Sequence, residues 1–385
     1  KKGGGGLAVA ANIITMNTDA YIGDGTHADA SEIISIDSDS SITPVNLEIP
    51  GMVNLGFGVS SIAAGGGVST SSEGKAAVGG SAVIDVHVQN THAYIGEGTQ
   101  INTDNTIIPG TDQSVVINAS SLTRILNGAG GLAVAFGGTG VGIGLDVGVI
   151  VKDTSAYIES GSTVTADKSV TVTADSEEDI TSVAVSAGVS KESGIAGSLA
   201  VFVLTADTRA AIEGASVDSG GDVILTATDT SSLNTIAFTV AAAGKTGVGA
   251  AGSVNVITNN VLAEVSGSAV DSGGDVSITA TSTPIIRSLG IGVSGSGKNA
   301  VAINASGNAV ANSVRAAITD GSEVNAKGDV ALSAKDEAGF IIPTWMIDEG
   351  VQEDLNSALE DSPIDLKSSI LAINVSVAGS GEKAV

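Results

Sequence analysis

Two acidic turns carry the residue types that best fit a metal site in this sequence. An Asp-Ser-Gly-Gly-Asp motif at 218–222 recurs at 271–275. Turns rich in oxygen ligands suit Ca²⁺, which takes roughly six to eight hard oxygen atoms. Asp and Gly also supply ordinary turn geometry and side-chain caps. We expect turn residues here, with calcium binding as the open alternative, at Asp218, Asp222, Asp271 and Asp275.

Other residues that could carry catalysis lack the motif that the chemistry needs. Gly244-Lys245-Thr246 would fit a phosphate-binding loop only with a glycine at Thr239 and a helix afterwards, and a Gly/Ala strand follows instead. The histidines His27, His87 and His92 do not form the pattern of a metalloprotease helix. The chain has no cysteine and no serine elbow motif. We therefore expect no enzyme activity, no catalytic residues and no cofactor.

Three tyrosines recur at one position of a repeated phrase. Tyr21, Tyr94 and Tyr157 each stand between Ala and Ile. If the repeats align, their side chains form a row. Such a row would serve as an aromatic surface for glycans or as an apolar stack at a sheet edge, since stacked identical side chains are common in repetitive β-structures.

The elements that position these residues are repeats. The Ala-x-Ile phrase, a Gly/Ser/Asp turn and an alternating Val-x-Val strand occur six times. Ile212, Val265 and Ile318 are each separated by 53 residues, whereas the earlier intervals are longer. Self-similarity at such a period is typical of solenoids and propellers, whose units must stack to bury their apolar faces. We expect about six units of about 53 residues that form one continuous array over 1–385.

Within one unit the period-two pattern predicts four short strands separated by polar clusters. A propeller blade also has four strands, but it needs bulky residues between blades. The interior of this array must instead be built from small and β-branched side chains, because aromatic residues make up only 2% of the chain. The prediction is an all-β fold, a parallel β-solenoid.

Three stretches interrupt the repeat after its second strand, at 41–57, 121–128 and 339–369. We expect them to emerge at one corner of the solenoid, where insertions form a binding face. The last contains an apolar stripe at helical spacing, which predicts a short helix near 347–360. Its contact surface would comprise Trp345, Ile347, Val351, Leu355 and Leu359.

Charge narrows the range of partners. With 16 basic and 42 acidic residues, the formal net charge is −26. Such a surface repels nucleic acids and anionic lipid headgroups. An apolar run long enough to insert in a membrane, about 18 residues, is not found. Both termini fall inside a repeat phrase, so we expect the chain to be a fragment of a longer protein.

The repeated phrases resemble those of a known family. Gly-x-Ala-Gly-Ser-x-Ala-Val, as at 194–201, followed by Ala-x-Ile and Val-x-Val-Thr-Ala, is similar to the repeats of filamentous-haemagglutinin-like and leukotoxin-type filamentous adhesins. The resemblance covers the chain except its insertions. It implies a right-handed parallel β-helix, export to the surface or exterior of a bacterium, and a role in attachment or fibre building.

These observations predict a structural segment of a long extracellular fibre, sheath or adhesin. It would supply reach and stiffness, self-associate, and contact a host or neighbouring-cell glycan or protein through its insertions. Two alternatives stay open. A glycan-binding module would use the tyrosine row, and a β-helical enzyme acting on polysaccharides would need basic and acidic residues gathered in one groove.

Overall fold

The computed structural model describes residues 3–49, 53–72, 74–104, 106–338 and 368–384. Its regular structure consists of strands, most of them in three parallel sheets that we name A, B and C. Sheet A contains β1 (Gly4–Ile22), β7 (Ala77–Ile95), β10 (Thr139–Ile158), β13 (Ser193–Glu213), β16 (Thr246–Ser266), β19 (Asn299–Thr319) and β23 (Lys383–Ala384). Sheet B contains β2 (His27–Ala28), β8 (Gln100–Ile101), β11 (Thr163–Ala166), β14 (Ser216–Ser219), β17 (Ala269–Ser272) and β20 (Glu323–Ala326).

Sheet C contains β3 (Ile34–Ile42), β6 (Ser61–Ser69), β9 (Val115–Ala135), β12 (Val170–Ser190), β15 (Val223–Ala243), β18 (Val276–Ser296), β21 (Val330–Asp336) and β22 (Ile370–Ser380). Two further strands, β4 (Val45–Ile49) and β5 (Val53–Val59), form a separate antiparallel hairpin. Within the described part of the chain, no helix has the length and apolar character needed to cross a bilayer.

One sequence repeat forms one coil, which passes through sheets A, B and C in turn. The fourth coil, for example, consists of β13, β14 and β15, with 21, 4 and 21 residues. Adjacent coils pair in parallel and in register, so that Ile212 lies beside Val265 and Val265 beside Ile318. The predicted all-β parallel solenoid is therefore confirmed, with six coils stacked along one axis.

The predicted division of each unit into four short strands is wrong. The polar segment 228–235 looks like a turn in the sequence, but it continues β15 without a break. Every second residue of this segment points inward, and Asp229, Ser231 and Thr235 are buried there. A strand segment with polar residues on its inner face thus contains the same residue types as a turn, although its backbone is extended.

Besides a smaller cluster around Ile150, Phe202 and Leu204 farther along the long strands, the apolar core lies where the three sheets meet, a part of the solenoid that we call the wide region. It is formed by the ends of the sheet A strands, by sheet B and by the beginnings of the sheet C strands. Leu225 and Ile278 lie in one inward column with Leu332, and Val170 lies in the neighbouring inward column of the same strands. These residues were predicted to share an inner column. Val170, Leu225 and Ile278 line one core, whereas Leu332 of the sixth coil is 45% exposed.

At the other end of the long strands, sheets A and C lie directly on each other in what we call the narrow region. A Cβ atom on Gly131 would be 2.0 Å from the carbonyl oxygen of Ile143, and one on Gly142 would be 2.1 Å from that of Ala187. No side chain fits at such positions. Glycine is therefore required because the two backbones touch, which explains the Gly-rich phrases of the sequence.

Two excursions leave sheet C at nearly the same level of its long strands. In the first coil the strand stops at Ile42, opposite Thr123, and resumes at Ser61, opposite Asn127, with the β4–β5 hairpin between. In the sixth coil it stops at Asp336 and resumes at Ile370, opposite Ser282 and Ile286. Both breaks occur partway along the edge strands of sheet C and not at a corner of the coil, where the insertions were predicted to emerge.

The predicted insertion at 121–128 is wrong. These residues are part of β9 and pair one for one with 176–183 of β12. The extra length of the second coil lies instead between Ile101 and Val115, in the connection from sheet B to sheet C. As in the fourth coil, a strand with buried polar residues has a sequence that resembles a loop.

Candidate functional site

The acidic turns form a ladder that caps backbone amides. The Asp222 carboxylate accepts a hydrogen bond from the backbone N–H of Asp275 at 2.8 Å, and the Asp275 carboxylate accepts one from Asp329 at 2.7 Å. Asp271 accepts a hydrogen bond from the side chain of Asn325 at 2.9 Å. Each turn therefore connects one coil to the next. This arrangement agrees with the interpretation as turn residues.

The calcium interpretation gains no geometric support. Among the residues that the structure describes, no group of three or more His, Asp or Glu side chains could hold a metal ion. Asp218 borders a shallow pocket beside Asp104 and Asp167. The carboxylate of Asp104 instead accepts a hydrogen bond from the backbone N–H of Thr106 at 2.8 Å, which lowers its pKa.

The three tyrosines form the predicted row on the outer side of sheet A. The ring centroids of Tyr21 and Tyr94 are 4.9 Å apart with planes tilted by 6°, and those of Tyr94 and Tyr157 are 5.0 Å apart with a tilt of 2°. The Arg209 guanidinium lies 5.7 Å from the Tyr157 ring centroid. Burial and the neighbouring Glu159 carboxylate raise the pKa of the Tyr157 hydroxyl to about 12. The rings stack on one another, so the faces of Tyr94 are occupied.

A column of buried polar residues separates the wide region from the rest of the interior. At its centre the Lys152 ammonium lies 2.5 Å from the Glu178 carboxylate, with both side chains fully buried. Lys152 also donates to the backbone carbonyls of Ser121 and Glu177. The Ser231 hydroxyl oxygen lies 2.8 Å from a carboxyl oxygen of Glu178 and 2.8 Å from one of Asp229, within hydrogen-bond distance of both. Burial raises the pKa of Asp229 well above its usual range.

This column continues in both directions along the solenoid axis. Asn259 donates to Asp229 and Ser231, and Asn312 donates to Asp336 at 2.9 Å. In the second coil Gln89 donates to Ser40 at 2.6 Å. Buried polar groups of this kind are tolerated because they hydrogen-bond to each other. The column therefore fixes the register of neighbouring coils and offers no open site for a ligand.

A second buried acidic group lies nearer the narrow region. Asp146 accepts hydrogen bonds from Ser182 and, at 3.4 Å, from Asn127. Burial raises the pKa of its carboxyl to about 7, and the nearby Asp85 charge acts in the same direction. His87 lies on the same inner face, and burial lowers its pKa. Neither ring nitrogen of His87 has a hydrogen-bond partner.

His92 connects three coils on the outer face. Its Nδ1 lies 3.2 Å from Asp19 of the first coil, and its Nε2 lies 3.5 Å from Asp153 of the third. The hydrogen bond to Asp153 raises the pKa of the imidazole. His27 contacts Asp29 at 2.8 Å. The three histidines therefore lie apart and do not form a shared catalytic group.

An extensive apolar face covers the outside of sheet A. In six strands, alternate residues face outward over 5–15, 78–88, 141–151, 195–205, 248–258 and 301–311. None of these outward residues is charged, and apart from three threonines they are Val, Ile, Leu, Ala or Gly. Ile143, Leu199 and Val254 are 48%, 40% and 45% exposed. We call this surface the sheet A face.

The narrow region is also apolar on the opposite outer surface. The ends of the sheet C strands direct Ile62, Leu132, Val185 and Val375 outward, all substantially exposed. Between the two outer surfaces lie buried Ser186, Thr239 and the close-packed glycines. Small and polar side chains are therefore inside, and large apolar side chains are outside.

This surface was not predicted from the sequence, although a signal for it exists. Apolar residues run consecutively in 147–151 and 201–204, where a strand with one solvated face would alternate. Such runs indicate a strand that is apolar on both faces. The predicted contact residues Trp345, Ile347, Val351, Leu355 and Leu359, together with the helix near 347–360, lie outside the described residues.

Comparison of the chain with protein-family models, with curated proteins and with solved structures finds no match.

Proposed function

We propose that this chain is a structural segment of an extracellular fibre, sheath or adhesin on a bacterial surface. The observation that carries the proposal is the parallel pairing of the long sheet A strands, which runs without a break through six coils. Each coil adds a ladder of backbone hydrogen bonds along the whole length of sheet A. Such a one-dimensional array resists bending and shear without needing a ligand or a disulfide.

The dimensions of the six-coil segment suit a stiff body better than a long one. A strand of 21 residues spans about 70 Å at roughly 3.3 Å per residue, whereas neighbouring coils are only about 4.8 Å apart. Six coils therefore form a broad slab, which is wider than it is tall. In the proposed role, the segment contributes wide and stiff faces for lateral contacts, and reach requires many further coils.

The geometry gives less support to a glycan-binding module. Carbohydrate rings are bound through the faces of aromatic side chains, and the faces of Tyr94 are covered by Tyr21 and Tyr157.

A polysaccharide-active enzyme would need cationic side chains that are not already paired with other groups of the protein. Arg124, Arg209 and Arg315 each pair with a glutamate, and Arg287 donates to Ser232 and Asn234.

Immunogold electron microscopy of intact cells that produce the protein tests this proposal. Antibodies raised against the six-coil segment should label filaments or a continuous layer outside the cell envelope. A strain in which the segment is deleted from the gene is the matched control, and it should lose the label. Label confined to the cell interior, in permeabilised cells only, would contradict the proposed role.

A further inference from the structure

We propose that the sheet A face binds the sheet A face of a second copy of this chain. The inference deepens the proposed function, on which it rests, because it names the partner and the surface of the lateral contact. The sequence predicts that the insertions make the lateral contacts. The present proposal assigns those contacts to the sheet A face instead. The evidence is the size of this face, its lack of charge, its polar border and its regular spacing.

The size of the sheet A face exceeds what a monomer normally exposes. Strands are about 4.8 Å apart and successive outward residues about 6.7 Å apart, so six strands with six outward columns cover roughly 800 to 1,200 Å². The largest apolar patch of a typical soluble monomer covers about 300 to 600 Å². A stable protein interface buries about 800 Å² on each partner. One copy therefore offers the area that a dimer needs.

The distribution of charge favours another protein surface over a lipid surface. The chain carries a formal net charge of −26, yet the outward columns of the sheet A face contain no charged residue. Acidic residues elsewhere on the body repel anionic headgroups. Along one side the face is bordered by a polar column that includes Asn90, Asp153 and Asp207. An apolar centre with a polar rim is the usual composition of a protein interface.

The sheet A face is also complementary to itself. Ile84, Val147, Val201 and Val254 form one straight outward column with the spacing of the strands. A second copy presents the same columns at the same spacing, so ridges of one face fit between ridges of the other after a two-fold rotation. Such a contact is isologous and closes on itself as a dimer.

Sedimentation velocity of the full 385-residue chain tests the proposal. We expect a reversible dimer with dissociation in the micromolar range. The combined substitutions Ile143→Glu, Leu199→Glu and Val254→Glu place charges in the centre of the face, and should weaken association at least about 100-fold. The matched control carries Thr171→Glu, Thr226→Glu and Thr281→Glu on the polar outer half of sheet C. It adds the same charge and should dimerise like the original chain.

A second, milder set of substitutions shows whether weaker association results from the changed face or from unfolding of the chain. Ile143→Thr, Leu199→Thr and Val254→Thr retain residues that suit an extended strand, and should weaken the dimer while circular dichroism and melting temperature change little. A chain that stays monomeric over the whole micromolar range would overturn the proposal. So would an unchanged dimer in both sets of face variants, or flotation of the chain with neutral phosphatidylcholine vesicles that the face variants abolish.

The same samples separate this inference from the proposed function. Small-angle X-ray scattering of the monomeric face variants should give the dimensions of a rigid slab. If the original chain fails to dimerise but retains this shape and its extracellular label, the contact surface is wrong and the structural role stands. If the label is intracellular, the structural role fails whatever the oligomeric state.

Discussion

The wide and narrow regions of the same coils place their large apolar side chains on opposite sides of the strands. In the wide region, branched side chains such as Leu225 and Ile278 point inward and are fully buried. In the narrow region, most inward positions hold glycine, alanine, serine or threonine, and residues such as Ile143 and Leu199 point outward. Both regions belong to the same strands. The direction of the apolar side chains therefore changes along a single strand.

This difference teaches that side-chain volume sets the distance between sheets A and C. Large inward residues hold the sheets apart around a third sheet, whereas glycine allows their backbones to touch. Once the sheets touch, no interior remains for large apolar residues. Their burial must then come from contacts outside the coil, which is the physical basis for the proposed dimer.

The largest effect is expected at the boundary between the regions. Glu178→Gln leaves the Lys152 ammonium buried without its carboxylate partner, and should lower the free energy of unfolding by about 3–5 kcal/mol. The adjacent Glu177 pairs with Arg124 at the surface, so Glu177→Gln should lower it by less than about 1 kcal/mol. Urea unfolding of both variants measures the difference. Equal effects would show that the buried pair does not stabilise the boundary.

Truncating one residue type in both regions sharpens the comparison. Leu225 is fully buried in the wide region, and Leu225→Ala should lower the free energy of unfolding by about 2–5 kcal/mol through lost burial and a cavity. Leu199 is 40% exposed, and Leu199→Ala should cost less than about 1 kcal/mol in the monomer. Denaturant unfolding at low protein concentration gives both values. A large effect at Leu199 in the monomer would contradict the inverted pattern.

Two adjacent glycines test the contact between backbones. A methyl group at Gly131 meets the backbone of Ile143, so Gly131→Ala should destabilise the chain by about 2–3 kcal/mol through overpacking. Gly130 has open space around its Cβ position, and Gly130→Ala should be neutral or stabilising by up to about 1 kcal/mol. Thermal melts compare the pair. If both variants melt alike, the sheets do not touch at this level.

The smallest predicted effect depends on pH. Because its folded pKa is about 7 against an ordinary value of 3.8, protonated Asp146 stabilises the fold at low pH. This contribution is lost as the pH rises through the folded pKa. Asp146→Asn, which mimics the neutral acid, should gain stability relative to the original chain between pH 5 and pH 8, by about 1–3 kcal/mol. Chemical unfolding at both pH values measures this gain, and a constant difference would contradict it.

The parts of the fold that follow from apolar periodicity were predictable. The unit length, the parallel stacking and the tyrosine row all depend on residues that recur one coil apart, such as Ile212 and Val265. A repeat in sequence becomes a repeat in space whenever coils stack in register. The acidic turns were predictable for the same reason.

The remaining features could not be predicted because they depend on contacts across the coil. Ser231 and Asp229 look like turn residues until Glu178 and Asn259 of neighbouring coils are placed beside them. The insertion predicted at 121–128 failed on the same ambiguity, since this stretch continues a strand with buried Ser121 and Thr123. The sheet A face was missed because the sequence does not show how thin the narrow region is.

The shared level of the two excursions has a consequence for how such chains diversify. Both leave sheet C in mid-strand, and both halves of the interrupted strand keep their register with the neighbouring coil. Within the described residues of sheet C, an added segment therefore costs three ladder positions and leaves the pairing on either side of it unchanged. The equivalent level of the four uninterrupted coils, near Ile125, Ile180, Leu233 and Ile286, is a natural place to graft foreign peptides for display.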